Sequence, residues 1–443
     1  LTTSKFKFKD IVSQDKGFLR GPFGGDLKKE IFVPKDNTTY KVYEQGVVLQ
    51  KDESIGKYYI SKEYYDKKMY KFEVKPKDFL VSCSGVNYGA IYQLRENAES
   101  GVINQALLRI RLNNKVINDD FFYYYFNFYL VNLIVGKKGD STIPNFPPIS
   151  VIKELEFNLP NIAIQEKIGY FLKNIDSKIE LNNKINKELE SMAKTLYDYW
   201  FVQFDFPDEN GKPYKSSGGK MVYNQELKRD IPDGWEVKTI SEFIGNNKGG
   251  DWGKEQEEGN YTQKVSCIRG ADLNGLNGLG ELNPPERFIL DKNSNKILES
   301  HDLIVEISGG SPTQSTGRLS FVIDETITRF ENPLICSNFC KSFSLKNSKH
   351  FYYFIYMWNN LYDNSVLFGW EGKTSGIKNL LFDSFTQKYF VVVPNESINQ
   401  KFYEKINSFH KMKQKKLKEN QELAKLRDWL LPMLMNGQVR VDI

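Results

Sequence analysis

Apolar residues recur along this chain in two contrasting rhythms. Near the start, Phe6-Lys7-Phe8-Lys9 alternates apolar and charged side chains, and Ala106-Leu-Leu-Arg-Ile-Arg-Leu112 ends in the same two-residue period. Period two turns one face of a strand to a core and the other to solvent, so both runs predict strands. From Ile164 the period lengthens to seven. One seam is Ile168, Ile175, Asn182, Leu189 and Leu196; the other is Ile164, Phe171, Lys178, Ile185, Met192 and Tyr199. A sustained seven-residue frame predicts a coiled-coil helix, and Asn182 on the seam predicts a fixed register at a cost in stability. Over residues 161–201 that helix would span roughly 60 Å. A second helix is predicted over residues 395–431, through Phe402, Ile406 and Phe409, then Leu423, Leu426 and Leu430. Its frame drifts around Lys411–Lys418, which reads as a stutter with a solvated lysine face.

The two halves of the chain repeat one plan. Lys77-Asp-Phe-Leu-Val-Ser-Cys-Ser-Gly85 and His301-Asp-Leu-Ile-Val-Glu-Ile-Ser-Gly309 share Asp, an apolar trio, Ser and Gly at equal offsets. Each half opens on an aromatic strand, Phe6–Ile11 or Trp235–Ile240, and later carries an aromatic run, Phe121–Phe126 or Phe351–Tyr356. Each closes on a short strand ending in Pro160 or Pro394, followed by a helix containing Gln165 or Gln400. The repeat is far longer than a solenoid unit. The expected organisation is a first head, residues 1–160; a helix, 161–203; a linker, 204–234; a second head, 235–394; and a second helix with its tail, 395–443. Pro, Gly and Ser in Phe204–Gly219 give the linker its character, and Gly270–Gly280 is expected to be irregular. A lone helix cannot bury such a stripe, so the two helices are expected to pair antiparallel with a head at each end; the alternative packs each helix on its own head. The predicted fold class is α+β: two repeated α/β heads separated by two long helices in an antiparallel coiled coil.

Composition narrows the classes. At 443 residues, 40% hydrophobic and 14% aromatic, the chain predicts two or three domains with substantial cores. Cys83, Cys267, Cys336 and Cys340 are scattered, and His301, His350 and His410 lack ligand spacing, so reduced thiols rather than a metal site are expected. No apolar stretch approaches the roughly 20 residues of a membrane span, and no signal-peptide pattern opens the chain, so a cytoplasmic location is expected. The net charge of +5 is uneven: 24 basic residues face 19 acidic in 1–160, 16 face 19 in 235–394, and 10 face 6 in 395–443. A polyanion suits the first head and the last helix better than the second head.

Several longer motifs then carry a resemblance over the whole chain. They are Leu159-Pro-Asn-Ile-Ala-Ile-Gln-Glu-Lys-Ile168, Leu196-Tyr-Asp-Tyr-Trp-Phe-Val-Gln-Phe-Asp-Phe206, Ile231-Pro-Asp-Gly-Trp-Glu236 and Leu426-Arg-Asp-Trp-Leu-Leu-Pro-Met-Leu-Met-Asn-Gly-Gln-Val-Arg-Val441. In that order they resemble the DNA-specificity subunit of type I restriction–modification systems. Pro394-Asn-Glu-Ser-Ile-Asn-Gln400 is looser than the family's second helix start. The resemblance implies two target-recognition domains, each reading half of a split, asymmetric double-stranded DNA site in a bacterial or archaeal defence complex. It implies helices that set the spacing and dock two methyltransferase subunits, with endonuclease–translocase subunits completing the assembly. S-adenosylmethionine would serve the methyltransferase partners, and this chain would bind no cofactor and carry no catalytic residue.

Loops that mix Arg or Lys with Gly, Tyr, Asn and Thr are the candidate DNA contacts: Lys16–Gly25, Cys267–Gly270 and Gly369–Gly376. Arg and Asn suit base edges, while Lys, Ser and Thr suit phosphates. The candidates in and beside such loops are Arg20, Lys28, Lys29, Asn87, Tyr88, Lys137 and Lys138 in the first head. In the second they are Arg269, Asn274, Arg318, Lys373, Thr374, Ser375 and Lys378. The spacer is expected to rest on Ile168, Ile175, Asn182, Leu189, Leu196, Phe402, Ile406, Phe409, Leu423 and Leu430. Two other classes compete. A DNA adenine methyltransferase needs Asn/Asp-Pro-Pro-aromatic; Asn283-Pro-Pro-Glu286 lacks the ring, and Asn145-Phe-Pro-Pro148 has the wrong order. Gly372-Lys-Thr-Ser375 lacks the upstream glycine of a phosphate loop, where Leu367 stands. A scaffold that never touches DNA draws its support from the acidic second head.

Overall fold

The computed structural model describes residues 3–14, 16–22, 25–85, 87–135, 146–311, 313–374, 376–439 and 441. Four helices organise it: α1 (Asp119–Tyr125), α2 (Ile162–Tyr197), α3 (Phe351–Asp363) and α4 (Glu396–Met435). Two compact units emerge, Leu1–Ser177 with Leu423–Ile443, and Lys178–Glu422. Among the described residues no helix is long and apolar enough to cross a membrane.

In the first unit, Thr3–Lys7 pairs antiparallel with Glu156–Pro160, placing Phe6 opposite Phe157. A four-stranded sheet runs in the order Phe18–Arg20, Leu107–Ile110, Phe79–Ser82, Ile91–Gln93. A second sheet orders Phe32–Val33, Tyr59–Ile60, Tyr40–Tyr43, Gly101–Ile103 and Glu73–Val74, with Tyr40–Tyr43 parallel to Gly101–Ile103. The second unit repeats the plan. Glu236–Thr239 pairs antiparallel with Phe390–Val393. Its four-stranded sheet orders Ile244–Gly249, Cys340–Leu345, Leu303–Glu306 and Leu319–Phe321. Its parallel pair, Tyr261–Ile268 with Leu334–Cys336, lies in a sheet of three strands rather than five. The shared aspartates sit before matching strands and do matching work. Asp78 accepts the Lys75 N–H at 2.7 Å and a forked pair from Arg111, both bonds at 2.7 Å. Asp302 accepts the Glu299 N–H and the Lys248 ammonium, each at 2.8 Å.

The strand expected from alternation at Ala106–Leu112 forms over Leu107–Ile110, but all four residues are buried. Arg109 is 1% exposed because backbone carbonyls of Lys16 and Glu73 take its guanidinium. The irregular loop expected at Gly270–Gly280 contains helical turns, Gly270–Asp272 and Leu273–Leu276, since burying Leu273 and Leu276 outweighs the glycine content. The segment read as a linker is folded as well. It carries an antiparallel hairpin, Met221–Asn224 with Arg229–Pro232. Phe204 and Phe206 are buried in one cluster with Trp235, and Phe206 stacks on Trp235 at 4.9 Å.

The two long helices run antiparallel wherever they meet within a unit. In the second unit Glu190 pairs with Lys413, and Asn182 donates to Asn420 at 2.8 Å and to Glu419 at 3.0 Å. In the first, Arg427 donates to Asp176 at 2.6 Å, and Ile168 and Leu172 share a cluster with Leu430, Leu431 and Leu434. The helices also pack on the heads. Tyr197, Trp200, Phe402 and Ile406 join the core around α3 and Trp235, while Ile168, Leu172 and Leu434 join the core around α1 and Phe8. The seam of Ile168, Ile175, Asn182 and Leu189 is buried, and Leu196 partly so. Its companion seam runs through Leu172, Asn186, Ala193 and Trp200, one position later than expected, and leaves Met192 and Tyr199 exposed. Phe402 and Ile406 are fully buried on α4, with Phe409, Leu423 and Leu430 partly so. The frame of α4 does not break at the lysines. It continues through His410, Lys413 and Gln414, all at most 2% exposed, so Lys413 lies inside rather than on a solvated face.

Each head is bolted to its helix by one buried amide. Gln165 accepts the Asn118 N–H at 3.0 Å and donates to the carbonyls of Pro160 at 2.9 Å and Val116 at 3.2 Å. In the second unit the residue five beyond the proline is Asn399, which is fully buried and donates to the Lys349 carbonyl at 2.9 Å. The counterpart of Gln165 is therefore Asn399 and not Gln400, whose amide donates to Glu404 on its own helix.

Candidate nucleic-acid interface

In the first head the loop after Val12 returns along the sheet through Gly17 and Gly21. A Cβ on Gly21 would lie 1.8 Å from the Asn104 carbonyl oxygen, so that glycine serves close chain packing. Arg20 ends the strand Phe18–Arg20, half-buried, near enough to Cys83 to oppose the burial that pushes that thiol up to about 12. Lys28 and Lys29 are exposed at the turn Lys29–Ile31. Asn87 is exposed in a turn beside half-buried Tyr88, whose ring meets Phe146 edge-on at 6.3 Å. Lys137 and Lys138 lie outside the described residues.

In the second head three candidate cations are already engaged internally. Arg269 forks onto Asp272 at 2.8 and 3.2 Å and donates to the Asn283 carbonyl at 2.8 Å. Burial works to raise the Asp272 carboxyl, but Arg269 and backbone N–H groups overcome it and hold it below the ordinary value. Arg318 forks onto Glu306 at 2.9 and 2.7 Å, which strengthens its hold on its proton. Lys378 reaches Glu371 at 3.3 Å, and that carboxylate also accepts the Thr316 N–H at 2.7 Å. Burial opposes the Glu371 charge, yet Thr316 and Lys378 keep its carboxyl below the ordinary value. Asn274 is exposed and lines, with Arg318, Gln314 and Asn360, a cavity of about 330 Å³. Lys373 and Thr374 sit on the hairpin strand Glu371–Thr374, where only their backbone is described, and Ser375 lies outside the described residues. The hairpin is held by Ser308–Gly309, which pairs with Ile377–Leu380.

The first head also gathers a group that the loop motifs caught only at Lys16. Lys16 lies with its ammonium 5.6 Å from the centroid of the Tyr70 ring, and Lys68 lies 5.6 Å from that of Tyr64. Tyr64 donates to the Asp26 carbonyl at 2.7 Å, tying this segment to the loop that carries Lys28 and Lys29. The signal was present in Tyr65-Asp-Lys-Lys-Met-Tyr-Lys71, where buried Tyr65 and Met69 stand four apart with Lys67, Lys68, Tyr70 and Lys71 left exposed.

The catalytic fragments take structural roles. In Asn283-Pro-Pro-Glu286, Asn283 is held by Asp272 and Arg269, and Glu286 accepts from Asn332 at 3.0 Å. Gly372 and Lys373 lie in a hairpin, not between a strand and a helix. These residues do not fit a methyl donor or a nucleotide phosphate. Among the described residues no three His, Cys, Asp or Glu side chains gather to hold a metal ion.

Comparison with known proteins adds the following. Residues 27–191 match the family model described as the type I restriction modification DNA specificity domain. The chain is 25% identical over 344 residues to the type I restriction enzyme MjaIX specificity subunit of Methanocaldococcus jannaschii, covering 76% of this chain and 73% of that one. Over 91 residues it is 35% identical to the HindI specificity subunit of Haemophilus influenzae, covering 20% of this chain and 19% of that one. The crystal structure of a type I restriction–modification S subunit from M. genitalium superposes with a TM-score of 0.58 at 16% identity, covering 98% of this chain and 96% of that one.

Proposed function

We propose that this chain, which belongs to the DNA-specificity subunits of type I restriction–modification systems, reads a split double-stranded DNA site with one half-site assigned to each head. The observation that carries this reading is the repetition of one sheet order in both heads, each closed by the same antiparallel strand pair and bolted to a long helix by a buried amide. Two similar readers on one chain suit a target in two parts. The helices are assigned the gap between the half-sites and the docking of two methyltransferase subunits, with endonuclease–translocase subunits joining them. The chain itself is assigned no catalytic step. S-adenosylmethionine belongs to the methyltransferase partners, which would flip and methylate an adenine in each half-site.

The test is to map methylated bases in the source genome and to assay the purified chain alone. The expected result is a bipartite motif with a fixed gap and no methyl transfer by the isolated chain. A single uninterrupted motif would overturn the two-reader assignment, and methyl transfer by the isolated chain would overturn the non-catalytic one.

A further inference from the structure

The segment between Tyr59–Ile60 and Glu73–Val74 is folded to present one face. Tyr65 and Met69 turn inward against Val42, Ile60 and Val102, and Tyr65 stacks flat on Tyr40. Lys67, Lys68 and Lys71 are left exposed, and Tyr70 is 55% exposed. Fully buried Arg109 fixes a second loop against this face. It donates to the Lys16 carbonyl at 2.6 Å and to the Glu73 carbonyl, so Lys16 is held over Tyr70. Lys16 is held there with φ +53°, a left-handed conformation that a non-glycine residue adopts only when its surroundings enforce it. Among the described residues Lys16, Lys67, Lys68 and Lys71 have no carboxylate partner, unlike Lys62, which is paired with Asp66 at 3.1 Å.

Among the described residues the second head shows no matching face. Between Glu286–Leu290 and Leu303–Glu306 it has a turn at Asp291–Lys296, and Lys296 is drawn onto Asp251 at 3.4 Å. Its basic residues are outnumbered 16 to 19, and Arg269, Arg318 and Lys378 are spent on internal carboxylates.

Resting on the DNA-reading function above, we propose that Lys16, Lys67, Lys68, Tyr70 and Lys71, with Tyr64 supporting Lys68, form a platform that contacts DNA phosphates. The first head thereby supplies most of the salt-dependent anchoring, and the second head reads its half-site with little of it. Free ammonium groups attract the backbone of any sequence, and an exposed tyrosine hydroxyl donates to phosphate oxygen. The aromatic rings hold the lysine stems in place through cation–π contact. Such contacts fix position without reading bases.

The experiment uses the full chain assembled with its methyltransferase subunits and a duplex of unrelated sequence, titrated at several salt concentrations. The triple variant Lys67→Gln, Lys68→Gln, Lys71→Gln is compared with a second-head triple, Lys292→Gln, Lys346→Gln, Lys388→Gln. Each lost phosphate contact lowers the slope of log affinity against log salt by about 0.9, so the first triple is expected to lower it by about 2 to 3. The second triple is expected to leave it unchanged. The methylated motif is expected to stay the same in both. An unchanged slope in the first triple, with the wild type still salt-dependent, overturns the platform, and so does a changed motif. An equal loss from the second triple overturns the asymmetry. A wild-type assembly that binds no DNA at any salt overturns the DNA-reading function itself, a result distinct from the others. Because every substituted lysine is exposed, equal melting temperatures are expected and show that each triple variant remains folded.

Discussion

His410 shows how a single residue can be legible in type and opaque in role. The sequence marks it as one of three histidines without ligand spacing; packing makes it a buried neutral ring. It stacks on Tyr352 at 5.1 Å, meets Phe321 edge-on at 4.8 Å and shares a hydrogen bond of 2.9 Å with the Tyr356 hydroxyl. Burial above all, then the Lys413 charge, lowers its pKa to about 3, with Glu190 pulling the other way. The unfolded chain takes up this proton below its ordinary value of 6.5, and the folded one does not until about 3. Stability therefore falls as pH drops from 6.5 toward 3, by about 1.4 kcal/mol for each pH unit well inside that window. Replacing His410 by Phe, which keeps the stacking, is expected to remove that component of the pH dependence. Unfolding curves between pH 6.5 and 5 check it; parallel losses in variant and wild type would mean that the buried ring is not the source. The companion seam of α2 was missed for a related reason. Phe171, Met192 and Tyr199 offered apolar letters one position early, whereas the real contact line uses Asn186 and Ala193. A small side chain permits close helix approach, and no hydrophobicity pattern marks that.

Among the elements, the long helices were legible in existence, direction and approximate ends, because a seven-residue period survives many local exceptions. The interior of α4 was not. Its charged stretch looked like solvent-facing surface, but Lys413 has Glu190 as a partner, and Gln414 donates to Asn277 at 3.0 Å. Partners that distant in sequence leave no local trace. The segment at 204–234 misled in the opposite direction, since turn-forming residues supply the bends of a folded plug whose phenylalanines do the packing. The weight of such aromatic contacts can be measured at Phe402, which is fully buried on α4 with ring centroids of Phe201 at 4.8 Å and Trp200 at 5.8 Å. Phe402→Ala is expected to cost about 3–5 kcal/mol, the usual range for emptying a buried aromatic site. Chemical denaturation checks it, and a loss below about 1 kcal/mol, the level of a typical point mutation, would show that the helix start is not packed as described.

For the molecule as a whole, duplication was the most readable property, and it extends from the Asp78 and Asp302 motifs to matching sheet orders. The candidate DNA contacts were the least readable. An exposed Lys and a Lys tied to a carboxylate are the same letter, and only the fold separates Lys28 from Lys378. If each head owns one half-site, exchanging residues 235–394 for the matching stretch of another specificity subunit is expected to change one half of the methylated motif and leave the other intact. Methylation mapping of cells carrying the hybrid checks it, and simultaneous change of both halves would end the one-head, one-half assignment. The joints suggest why such an exchange can succeed. Gln165 touches the N–H of Asn118 and the carbonyls of Val116 and Pro160, and Asn399 touches the carbonyl of Lys349; every partner is a main-chain atom. A foreign head offers those atoms whatever its side chains are. If each head owns one half-site, recombination between genes can then trade one recognition specificity for another with these two joints intact, leaving the aromatic packing of Tyr197, Trp200 and Phe402 around α3 to be matched, and a lineage can acquire a new target while inheriting its framework.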